Sequence, residues 1–181
     1  MKKLFAIMLA IVMLAGCDEL MMAPPEQPGQ EDFDFPISFR NEDELRAAVA
    51  QDPNHRHLQG LTEIYRPGAI PEGYQLKAID VAYDLAAYVY GNEDDKMLNI
   101  VWYKDAPATT GARDGELNSG EDSYEYIERN GIEYLVLRYP DGHIETVWVD
   151  RGKFFVSFSN DTSLSIDELL DFCNYNAVMI A

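Results

Sequence analysis

The sequence predicts an α+β domain: an antiparallel sheet, a meander of about six to eight strands, with an N-terminal helix and a C-terminal helix packed on it. Three observations lead there. Runs of roughly five to eight residues with strand alternation fill the chain from Leu61 to Ser159. Four of these runs are separated by Asn130-Gly131, Asp141-Gly142 and Arg151-Gly152, pairs suited to tight chain reversal. Helix-capping signals at Asn41 and Ser165 bracket the series.

The first helix is set locally. Asn41 serves as N-cap, Glu44 follows three residues later, Glu42 and Asp43 place negative charge in the first turn, and Leu45, Ala48 and Val49 form the apolar stripe that Pro53 ends. Leu61 to Arg66 is a short strand. In the longer strand from Tyr74 to Tyr83 the apolar phase moves from Tyr74, Leu76 and Ala78 to Ile79, Val81 and Tyr83, which predicts a bulge near Ala78. Leu85–Tyr90 and Met97–Tyr103 follow, and a polar loop runs from Lys104 to Glu121. Asn130-Gly131 then joins Tyr124–Glu128 to Ile132–Tyr139, both turn residues being able to take positive φ, and Ile144–Val149 and Lys153–Phe158 complete the meander. Leu135 and Leu137 lie in one phase of their strand and Ile132, Tyr134 and Val136 in the other, so part of the sheet is covered on both faces. The last helix has a capping box in Ser165 and Glu168, a hydrophobic staple in Leu164 and Leu169, and a stripe of Ile166, Leu169, Leu170 and Cys173.

Ahead of the domain, Lys2 and Lys3 precede an apolar stretch from Leu4 to Leu14, and Leu14-Ala15-Gly16-Cys17 closes it. The stretch is shorter than the roughly 20 residues that span a bilayer, so it reads as the core of a removable signal. The arrangement resembles the signal peptide of a bacterial lipoprotein with its lipobox. That resemblance implies a signal peptide over residues 1–16, a diacylglyceryl group on the thiol of Cys17, and anchorage on the extracytoplasmic face of the cell membrane. More than one acyl chain is needed for a stable anchor. Residues 17–36 then comprise the lipidated cysteine and a tether rich in proline and acid, in which Pro24, Pro25, Pro28 and Gly29 stand among Glu26, Glu31, Asp32 and Asp34. Fully extended, the tether reaches about 60 Å. Residues 37–181 form the single α+β domain.

Removing residues 1–16 takes away two lysines and no acid, so the formal net charge of −18 becomes −20. A chain so acidic does not bind nucleic acid electrostatically, and anionic headgroups repel it within a Debye length of about 8 Å. The two cysteines are Cys17 and Cys173. Acylation of the first rules out an intramolecular disulfide, and the second lies on an apolar helical stripe, as a buried structural thiol does.

The segment Pro71-Glu72-Gly73-Tyr74 with Leu76, followed by two strands, resembles the opening of the DUF4367 family, an uncharacterised extracytoplasmic domain. Trp148 in its strand, the aromatic run Phe154-Phe155-Val156-Ser157-Phe158 and Leu164-Ser165 with Glu168-Leu169-Leu170 stand where that family has similar elements. The likeness covers roughly Leu61 to Tyr175. It implies sensing or binding, and no activity.

Of the chemistry-bearing motifs, GxSxG, HExxH, CxxC and a glycine-rich phosphate loop are absent from the sequence. His55 and His57 form an H-x-H pair in a segment that reads as an exposed polar loop, and Asp141 beside His143 is explained by a hairpin turn. Glu93, Asp94 and Asp95 read as a solvated hairpin tip, and Glu116, Glu121 and Asp122 as a polar loop, without EF-hand spacing. Trp102, Trp148, Tyr103 and Phe155 are the candidates for an aromatic groove that takes a peptide, a glycan or a lipid chain. The expected function is that of a membrane-anchored extracytoplasmic lipoprotein acting as a non-catalytic binding or sensory module, its partners being the membrane through Cys17 and an envelope protein, peptide or glycan. Catalytic and metal-binding residues are not assigned, and no cofactor is expected. Two alternatives stand beside it: a cell-envelope hydrolase using carboxylates about 5–10 Å apart, and a calcium-binding surface protein using its acidic loops.

Overall fold

A computed structural model describes residues 35–103 and 123–180. They fall within one compact unit, Asp34–Ala181. In chain order its elements are β1 (Ile37–Phe39), α1 (Glu42–Gln51), β2 (Glu63–Pro67), β3 (Gln75–Val81), β4 (Leu85–Gly91), β5 (Met97–Tyr103), β6 (Ser123–Arg129), β7 (Ile132–Arg138), β8 (Ile144–Asp150), β9 (Lys153–Ser159), α2 (Ile166–Cys173) and β10 (Tyr175–Met179). The fold is α+β, as expected, with an eight-stranded antiparallel sheet ordered β1-β3-β4-β5-β9-β8-β7-β6 and a two-stranded ribbon of β2 and β10.

Both helices begin where their local chemistry dictates. The Asn41 side chain accepts from the Glu44 N–H at 3.0 Å, and Glu44 accepts in return from the Arg40 N–H at 2.9 Å. Asp52 caps α1 at its C-terminal end, directly before Pro53. At α2 the capping box is complete: Glu168 N–H donates to the Ser165 hydroxyl and Ser165 N–H to the Glu168 carboxylate. Asn130 and Gly131, at φ 56° and 79°, turn β6 into β7, and Arg151 and Gly152, at 49° and 74°, turn β8 into β9. The predicted bulge lies between Leu76 and Ala78, where β3 slips against β4 and reverses its apolar phase.

Cross-strand partners share a face, so the register sorts the side chains into two. The inner face carries Tyr88, Ile100, Trp102, Phe155, Trp148 and Val136, all in the core with Leu45 of α1 and Leu169, Leu170 and Phe172 of α2. Tyr65 of β2 belongs to the same core. The outer face carries Ala87, Val101, Val156, Val147 and Leu135 in one row, with no described helix on it.

The topology departs from a single meander. Two meanders, β3-β4-β5 and β6-β7-β8-β9, join through β5 against β9. The tight turns specify each meander locally, whereas the pairing of β5 with β9 joins residues more than fifty positions apart and has no local signal. β1 and β10 were not anticipated either, since three residues and five residues of mixed polarity make no strand pattern. His57, expected in an exposed loop, is buried at 4% exposure, and Leu58 beside it is a core residue.

Candidate functional site

The four residues expected to line an aromatic groove do not share a face. Trp102, Trp148 and Phe155 lie on the inner face, buried to 1%, 2% and 0% exposure, and Tyr103 lies on the outer face beside Phe154, with ring centroids 5.4 Å apart. The ribbon is the reason the inner three are closed off. Tyr65 of β2 meets Trp102 edge-on at 5.5 Å and Phe155 at 5.1 Å, and Tyr175 of β10 stacks on Phe155 at 4.6 Å. Trp148 stacks on Phe155 at 5.1 Å with planes 7° apart. This is core packing of offset and T-shaped rings, and the groove expected at these residues is corrected to a capped aromatic cluster. The Cys17 site lies outside the described residues.

The outer face is exposed at its margin, since Ala87, Val101, Val156 and Leu135 of its central row are buried. Its central row of small and branched residues is flanked on one side by Tyr103, Phe154 and Val149 and on the other by Phe158, Leu137 and Tyr124. Tyr124, Tyr126 and Val149 are exposed at 54%, 49% and 44%. Glu145 lies among these groups, opposite Leu137 and Phe158. Burial raises its carboxyl above the ordinary range, against the Tyr139 hydroxyl, which donates to it at 2.9 Å, and the attraction of His143. The His143 ring stacks on Tyr139 at 4.0 Å and meets Phe158 at 5.1 Å. Asp141 accepts from the His143 N–H at 3.2 Å and pairs with its ring, the local bonding of a turn. The sequence reading passed over Tyr124, Tyr126 and Glu145. Charges in both phases of Ser123–Arg129 were the available signal that this strand is exposed.

Several other described acids are held by structural bonds. Glu42 in the first turn of α1 accepts two bonds from Arg66 of β2, at 2.7 and 2.5 Å, and one from the buried Tyr88 of β4 at 2.6 Å. The Arg66 bonds hold its carboxyl below the usual range, against the effect of burial. Asp161 accepts from Tyr74 at 2.7 Å and from the Ser163 hydroxyl at 2.7 Å, and these bonds outweigh burial to lower its pKa. Asp80 is buried at 8% exposure, which raises its pKa against the opposing bond from Ser38 at 2.6 Å. Asp80 and Glu145, both on the outer face, are four strand spacings apart, about 19 Å, too far to act as a glycosidase pair. Glu93, Asp94 and Asp95 stand at the exposed tip between β4 and β5. Among the described residues no group of three or more His, Cys, Asp or Glu is placed to hold a metal ion. Glu116, Glu121 and Asp122 lie outside the described residues. Cys173 is fully buried, as expected, and burial pushes its thiol up to about 12, so it is not a thiolate at neutral pH.

Among the described residues no helix is long and apolar enough to cross a membrane. No curated protein and no solved structure matches the chain. Residues 64–174 match the family model described as "Domain of unknown function (DUF4367)", a span that runs from within β2 to just past the end of α2 and leaves β1, α1 and β10 outside. That span is more than half of the sequence, and the chain belongs to the DUF4367 family.

Proposed function

We propose that the chain is a bacterial lipoprotein, anchored through acyl chains on Cys17 at the extracytoplasmic face of the cell membrane, whose domain binds a ligand without catalysis. The lipobox and the tether behind it support the anchor, and the strongly acidic domain stands clear of the headgroups on that tether. The observation that carries the binding role is the outer face of the sheet. It presents Tyr124, Tyr126 and Val149, exposed on a rigid antiparallel scaffold beside the buried Ala87, Val101, Val156 and Leu135, with no described helix packed over them. Rigid apolar surface with polar groups at its margin is recognition chemistry.

Two measurements test the reading. Cys17→Ala is expected to leave the signal uncleaved or release the protein from membranes, with loss of lipid labelling; unchanged labelling and retention would refute the anchor. A photo-crosslinker at Val149 of the full chain is expected to capture an envelope protein, peptide or glycan in native membranes. Absence of any adduct at Val149 removes the outer face as the binding surface.

A further inference from the structure

The far edge of the sheet is built differently from the near one. β1 closes the near edge with three paired residues, whereas β6 offers seven, about 23 Å of strand. The two-residue turn at Asn130-Gly131 makes Arg129 and Ile132 a mutually hydrogen-bonded pair. Alternation then turns the backbone groups of Ser123, Glu125, Ile127 and Arg129 towards β7, and those of Tyr124, Tyr126 and Glu128 outwards. Among the described residues no strand takes up this outer row. The two tyrosines are exposed and meet each other edge-on at 6.2 Å. A long edge of this kind, with no proline and no bulge, is a template for strand addition to a strand whose charges match its own.

We propose that β6 pairs antiparallel with β6 of a second copy of this chain about a two-fold axis, joining two sheets into one. The strand's own charges select the partner and the register. An axis through Glu125 or Glu128 would set two glutamates directly opposite, which is destabilising. An axis through Tyr126 pairs no charges. With Ile127 on the axis, Glu125 faces Arg129 of the second copy, twice by symmetry, and Tyr126 faces Glu128. Within each copy Glu125 already holds Arg138 at 2.7 Å and Arg129 holds Asp171 of α2 at 2.5 Å. The seam therefore completes a chain of alternating sign on the inner face: Arg138, Glu125, then Arg129 and Asp171 of the second copy. The two half-buried Ile127 side chains meet at its centre. Repulsion between two acidic copies opposes the pairing, and at 0.15 M salt, with a Debye length of about 8 Å, it is confined to charges near the seam.

The test uses the full chain in membranes with Ile127→Cys under mild oxidation. A non-hydrogen-bonded pair on the axis brings the two Cβ atoms to about 4.5–5.5 Å, close to disulfide geometry, so a cross-linked dimer is expected several-fold above that formed by Val149→Cys. The unmodified chain, whose Cys17 thiol is acylated in the function proposed above and whose Cys173 is buried, is expected to show none. In a second variant, Tyr126→Pro removes an outward N–H and leaves the ladder to β7 intact, so dimer mass is expected to be lost while the unfolding transition persists. Equal cross-linking at Ile127→Cys and Val149→Cys, a monomeric mass for the unmodified chain, or a dimer that survives Tyr126→Pro overturns the proposal.

Discussion

Replacing Tyr88 by Phe tests whether the carboxylate at the start of α1 is a keystone between helix and sheet. The Tyr88 ring is 1% exposed, and its hydroxyl donates to Glu42 at 2.6 Å. A hydrogen bond to a charged group contributes about 1.5–3 kcal/mol, and the lower end applies because Glu42 keeps both bonds from Arg66. For a domain of this size about 1.5–2 kcal/mol corresponds to a fall in Tm of roughly 5 °C. Tyr90→Phe is the matched control, since that ring is also buried, stacks on Tyr88 at 6.3 Å, and its hydroxyl makes no hydrogen bond among the described residues. Urea and thermal unfolding of both variants, followed by far-ultraviolet circular dichroism, separate the bond from the ring. The pH dependence has a defined sign. The folded pKa of Glu42 is depressed, so its contribution is present above the unfolded carboxylate pKa and is lost as the pH falls through the folded value. The gap between the unmodified chain and Tyr88→Phe therefore narrows on acidification below about pH 4. Equal stability of the Tyr88→Phe and Tyr90→Phe variants at neutral pH would refute the reasoning.

Two further outcomes follow from single positions. A Cβ at Gly68 would overlap the backbone carbonyl of Asn174, so Gly68→Ala is expected to destabilise by more than about 2 kcal/mol in urea unfolding, as overpacking against backbone does; a shift within experimental error would show that the β2–α2 junction yields. Asp80 has a folded pKa raised by burial, so its native state binds more protons than the unfolded chain between the two pKa values and stability falls as the pH rises through that window. Asp80→Asn, which keeps an acceptor for Ser38, is expected to exceed the unmodified chain in Tm at neutral pH and to lose that advantage below about pH 4; a difference independent of pH would show that the carboxylate's charge is not what matters there.

What could be read from the residues was what their neighbours in sequence decide. Asn41, Ser165 and Glu168 set helix starts within one turn of chain, Asn130-Gly131 sets one hairpin, and the phase change after Leu76 sets the bulge. The pairing of β5 with β9 and the ribbon of β2 with β10 depend on partners far away in sequence, and alternation says which face a residue takes without saying what covers it. For that reason Trp102 and Trp148 looked like groove residues, and they became core once Tyr65 and Tyr175 lay over Phe155 and its neighbours. Tyr103 parted from Trp102 by the two-residue period itself. The exposed side chains of the outer face gave the weakest signal, since Tyr124 and Tyr126 read like any aromatic strand residues and a lone Glu145 like any solvated acid.

The ribbon also separates the unit that folds from the unit that is shared. Residues 64–174 carry the family likeness, yet Tyr175, which stacks on Phe155, donates to Asp150 and pairs with Pro67, begins one residue later. α1 lies before that span, and its Arg46 holds the carbonyl of Met179 at 2.7 Å, so the two flanks clasp each other over the core that the shared part supplies. A fragment cut at the limits of the likeness would keep most of the sheet and uncover its aromatic heart.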